Sequence, residues 1–116
     1  MISTVSLLRL DGKWLTIRSQ QEANGVKVIS GFEASLEVAK IKALEIVQKE
    51  KLVYGGEVLP NKPVLVVYPG KNEAGELYSC GPEHKELIRI FYSVAEAHRQ
   101  GSDFANKHGF DCLSLS

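Results

Sequence analysis

The chain is short of nearly every feature that announces a function. Its two cysteines, Cys80 and Cys112, are too few to staple a small secreted scaffold, so the expected compartment is the cytoplasm. No charge of one sign predominates: 14 Lys and Arg balance 14 Asp and Glu, which excludes a global basic field for nucleic acid and an acidic surplus that would mimic one. No apolar run approaches the roughly 20 residues that cross a bilayer, and no membrane role is expected. Residues 1–10 lack a basic start, and Ser3, Thr4, Ser6 and Arg9 interrupt their apolar positions, which argues against a secretory signal. Walker spacing and a glycine-rich dinucleotide fingerprint are missing, so Pro69-Gly70-Lys71-Asn72 reads as a surface turn. No internal repeat, low-complexity stretch or linker is legible, and no cofactor is expected.

What is present suits one ordinary folded domain over residues 1–116. At 44% hydrophobic and 24% charged the chain is too apolar to be disordered. Residues 3–10 and 14–19 are rich in strand formers, and Asp11-Gly12-Lys13 between them is a hairpin turn. Asn24-Gly25 signals a second turn before a third strand, Val26–Ile29. The spacing Ser30-Gly31-Phe32-Glu33 has the form of a capping box and predicts a helix to about Lys51, with Phe32, Leu36, Ala39, Ala43, Ile46 and Val47 on its buried arc. Val38 and Ile41 fall on the opposite side, among charges.

Two Gly and two Pro within residues 52–63 predict a loop or broken edge strand. Val64–Tyr68 reads as a central strand covered on both faces, with Glu76–Ser79 pairing back on it. Gly81-Pro82 then predicts the opening of a second helix that ends near Gly101 and buries Leu87, Ile88, Ile90, Phe91, Val94 and Ala95. Ser102 would cap a last short helix stopped by Gly109, followed by a tail in which Phe110, Leu113 and Leu115 pack. The expectation is an α+β fold: an antiparallel sheet of four to five strands with two helices on one face, in the order β-β-β-α-β-β-α.

Three functional readings follow. Cys80, just before the predicted helix start, would gain nucleophilicity from the helix dipole, with His84 as its base, giving a small thiol-dependent enzyme. His98 falls within the same helix's apolar arc, as a core histidine or a base. A zinc quartet drawn from Cys80, His84, His108 and Cys112 fails, because the predicted helix separates its halves, and no metal is expected. The second reading is a single-stranded nucleic-acid module in which Trp14, Arg18 and Lys27 share an open sheet face, where Arg9, Lys13, Arg18 and Lys27 outnumber Asp11 and Glu22. The preferred reading is non-enzymatic: Val38, Ile41, the half-covered sheet and the apolar tail leave burial unsatisfied, which points to self-association or to an adaptor or inhibitor role on a larger protein.

Overall fold

In the central strands of this chain successive residues alternate between two buried surfaces, and that period of two dictates the architecture. The computed structural model describes residues 3–20 and 26–115. Strands β1 (Ser3–Leu10), β2 (Lys13–Gln20), β3 (Val26–Glu33) and β4 (Val53–Val58) form one sheet, in the order β3-β2-β1-β4. Strands β5 (Val64–Pro69), β6 (Gly75–Cys80), β7 (Lys85–Phe91) and β8 (Asp111–Ser114) form another, in the order β7-β6-β5-β8. Helix α1 (Leu36–Glu50) packs on the first sheet and helix α2 (Val94–His108) on the second.

Val5 and Leu7 of β1 and Trp14 of β2 face α1, meeting Ala39 and Ala43. Leu65 and Val67 of β5 and Leu77 of β6 face α2, meeting Ala97 and Ala105. The intervening residues point the other way. Leu8, Leu10, Leu15 and Ile17 of the first sheet close on Val64, Val66, Cys80 and Leu113 of the second. The layers therefore run helix, sheet, sheet, helix, with the largest core between the sheets. At one end the halves are latched: Asp11 and Gly12 donate their amides to the carbonyls of Gly81 and Pro82 at 3.0 and 2.9 Å, and Arg9 pairs with Glu83 at 2.8 Å.

The α+β class with two helices stands. The strands divide between two sheets that are mixed, not purely antiparallel, because β4 runs parallel to β1 and β8 parallel to β5. Each sheet carries its own helix. The β1–β2 hairpin, the two-sided burial of Val64–Val67 and the pairing of β6 back on β5 follow the sequence reading.

The two halves repeat one topology, β-β-β-α-β, which overturns the absence of an internal repeat. The correspondence is close in the helices, at a spacing of 58 residues. Ser35 and Ser93 cap them, accepting from the amides of Val38 and Glu96. Lys51 and Gly109 end them in the left-handed conformation, with φ of 56° and 74°. Ala39, Ala43 and Val47 match Ala97, Gly101 and Ala105 on the face toward the sheet. A cap serine, small residues every fourth position and a left-handed terminus are all the repeat requires, and those are too few identities to stand out in sequence.

One local expectation shifts, the start of the first helix, and the expected edge strand after it holds. Glu33 still belongs to β3, so the capping box at Ser30 is displaced by the cap at Ser35, and Phe32 lies on a strand. The 52–63 segment contains the edge strand β4. The Asn24-Gly25 turn lies outside the described residues.

The second helix differs most. Gly81 donates to the His84 carbonyl at 2.9 Å in a tight connection between β6 and β7, and the helix begins only after Ser93. Lys85–Phe91 is an edge strand. Its apolar residues at short spacings fit a helix arc as well as a bulged strand, and β-branched Ile88 and Ile90 favour the strand. Ser102 lies inside α2, and the expected tail is β8, with Leu113 buried. Among the described residues no helix is long and apolar enough to cross a membrane.

Candidate functional site

The thiol reading rests on Cys80 preceding a helix, and a strand follows it instead. Cys80 ends β6 with its side chain in the inter-sheet core, fully buried. Burial, then the charge of Asp11, push its thiol up to about 11, away from nucleophilic character. His84 is exposed in the β6–β7 connection, its ring folded over Gly81. His98 is exposed on α2, its Nε2 3.5 Å from Ser102 Oγ, so it is neither a core histidine nor part of a cleft with Cys80.

Cys80 and Cys112 sit on opposite faces of one sheet, Cys80 toward the other sheet and Cys112 beneath α2, and no ion can join them. No cluster of three or more His, Cys, Asp or Glu that would hold a metal occurs among the described residues.

The open face invoked for nucleic acid is covered on both sides. Trp14 is only 9% exposed, packed beneath α1, with the Arg9 guanidinium 5.0 Å over its ring. Arg18 and Lys27 are opposite one another across β2 and β3. They stand four strand positions from Trp14, about 13 Å. Arg18 Nη2 donates to Ser3 Oγ at 3.3 Å, and its Nη1 lies 3.9 Å from Glu50. These residues do not form a stacking platform.

Val38 and Ile41 do lie on the solvent face of α1, 41% and 59% exposed, and Leu44 extends the stripe. The larger exposed apolar feature was not foreseen. Leu87, Ile88 and Ile90 of β7 and the following Tyr92 are 46%, 51%, 55% and 80% exposed. β7 is an edge strand, so one side of its backbone offers amides and carbonyls with no neighbouring strand among the described residues.

A bulge shapes this edge. Leu87 pairs with Tyr78 but Arg89 with Leu77, leaving Ile88 as the extra residue. Glu86 opposes Ser79 and Arg89 opposes Leu77, so Glu86 and Arg89, three residues apart, share the helix-side face. Lys85, Leu87 and Ile90 share the other. There the Lys85 ammonium lies 4.9 and 5.0 Å over the rings of Tyr68 and Tyr78, and Tyr68 stacks on Phe32 at 6.1 Å. Burial holds the Tyr68 hydroxyl well above its ordinary range. This aromatic and lysine cluster fixes the start of β7 and leaves Leu87 and Ile90 uncovered beyond it. The sequence signal for the edge is the capping pattern at Ser93 with Glu96, which ends any preceding element by residue 92. No family model matches this chain, and no curated protein matches it in sequence.

Proposed function

We propose that this protein acts by protein contact, pairing β7 with β7 of a second copy to join two four-stranded sheets edge to edge. The observation that carries the reading is the exposed seven-residue edge strand with three uncovered aliphatic side chains. Soluble proteins normally blunt such edges with charge, bulges, proline or cover, and the bulge and charges that β7 carries leave its aliphatic side chains exposed.

A second copy suits the edge because its charges are self-complementary. With a two-fold axis between Leu87 and Ile88, antiparallel pairing sets Glu86 opposite Arg89 of the partner, twice, both on the helix-side face. Lys85 then opposes Ile90 on the other face. An unbulged strand would place residues 86 and 89 on opposite faces and lose the match. The apolar stripe of Val38, Ile41 and Leu44 on α1 is a second surface of the same kind, without this complementarity.

Sedimentation or light scattering over a concentration series tests the reading. A mass rising to twice that of the monomer supports it, with β7 amides gaining protection from hydrogen exchange. A strict monomer up to hundreds of micromolar, or a dimer whose β7 amides exchange as freely as in the monomer, overturns it.

A further inference from the structure

The inter-sheet core does not close over its whole extent. Leu10, Leu15, Val66 and Cys80 are completely buried, whereas Leu8, Ile17, Val64 and Leu113 keep 2–7% of their surface. These four form the floor of a cleft of about 420 Å³ where the 59–63 segment crosses from β4 to β5. Its wall is unusual in being apolar and outward-reaching: Leu59 is 63% exposed. Pro60 and Pro63 restrict the backbone of that wall, so the cleft is preformed.

The rim adds Lys62 from the segment and Asp111 from the start of β8. Neither is ion-paired with another described residue. An apolar floor beneath one cation and one anion sets the chemistry of a ligand. It needs an aliphatic body, a carboxylate for Lys62 and an ammonium for Asp111. The volume lies in the range of small-molecule sites, roughly 300–1,000 Å³. A purely hydrocarbon ligand would leave both charges unused, and a fatty carboxylate would use Lys62 alone and leave Asp111 unmatched.

We propose that this cleft binds a small aliphatic zwitterion, of the class of short apolar peptides with both termini free. The site is separate from β7 and does not depend on the association proposed there. Calorimetric or NMR titration of the full chain tests it with three compounds: leucyl-leucine, its N-acetyl form, which keeps only the anion, and its C-terminal amide, which keeps only the cation. The free dipeptide is expected to bind at least tenfold more tightly than either blocked form, shifting the amides of Leu8, Ile17 and Leu113.

Lys62→Gln should erase the advantage over the amide, and Asp111→Asn the advantage over the acetylated form. Both positions are exposed, so both variants should fold. Equal affinity for the three compounds, no shifts at millimolar concentration, or shifts confined to other surfaces would overturn the proposal.

Discussion

Charge exchange across the proposed β7 pair gives the most demanding test of the association. Arg89→Glu places a carboxylate opposite the partner's Glu86 at both symmetric positions. Opposite charges directly across two strands contribute roughly 0.2–1 kcal/mol per pair, and like charges cost a similar amount. Converting two attractive pairs into two repulsive ones therefore costs about 1–4 kcal/mol of association. That is a roughly five-fold to several-hundred-fold rise in the dimer dissociation constant.

The monomer should barely notice, because the Arg89 side chain is exposed and loses only its 5.1 Å stacking on Phe91, worth about 0.5–1 kcal/mol. The exchange Glu86→Arg with Arg89→Glu restores both pairs and should return the constant to within a few-fold of the original. Added salt should narrow the difference between single and double variants, since the pairs lie at a solvated edge. Analytical ultracentrifugation reads all three proteins. An Arg89→Glu variant that dimerises as the original does, or a double variant no better than the single, would refute the two-fold register.

Further outcomes follow from the core. Cys80 should resist alkylation at pH 8: with its thiol at about 11, about one molecule in a thousand is thiolate, against about a quarter for an ordinary thiol near 8.5. Peptide mapping that found Cys80 modified as fast as a free cysteine would revive the thiol reading. The same raised value means the folded state disfavours the thiolate, so this contribution to stability is fully present below about pH 7.5, before the unfolded thiol ionises, and is lost progressively as pH rises through about 8.5 toward 11. A denaturation midpoint unchanged over that interval would contradict the burial.

Gly75→Ala should destabilise by about 3 kcal/mol, the upper end of overpacking, because a Cβ there meets Ser93 O, Ala97 Cβ and Val94 Cα at 2.6–2.8 Å. Gly31→Ala, with nothing within 4 Å, should stay within about 0.5 kcal/mol in the same urea titration. Trp14→Ala should cost at least about 3 kcal/mol, since its indole is core beneath α1. A loss under about 0.5 kcal/mol would put the ring back on an open surface.

Much of the first half was legible because its signals are local. Asp11-Gly12 announces a hairpin, and Ala39 and Ala43 mark the buried side of α1 while Val38 and Ile41 mark the exposed one. Val64–Val67 is apolar throughout because it lies between a helix and a second sheet, and a continuous run reads directly as two-sided burial. The second half misled because residues 85–91 lie at an edge, where no covered face imposes an alternation.

The exposed side chains of β7 resemble a helix's buried arc only if their exposure goes unsuspected, and single-sequence pattern reasoning assigns apolar residues to the interior. Trp14 misled in the opposite sense. Its strand could have had a bare face, and only the second sheet and α1 together leave it none. Cys80 inherited its expected reactivity from a helix that is not there.

The repeated halves also bear on how two chains could exchange parts. The half that holds β1–β4 and the half that holds β5–β8 meet through their sheets much as two protomers meet in a dimer, and along the chain the segment 59–63 is what joins them. If that tether could no longer reach back, each half could find its complement in another chain and rebuild the same inter-sheet core, an exchange that costs little beyond straightening the hinge. Removing Asn61 and Lys62 should convert the monomer into an intertwined dimer of unchanged secondary structure that persists on dilution, unlike one joined at β7.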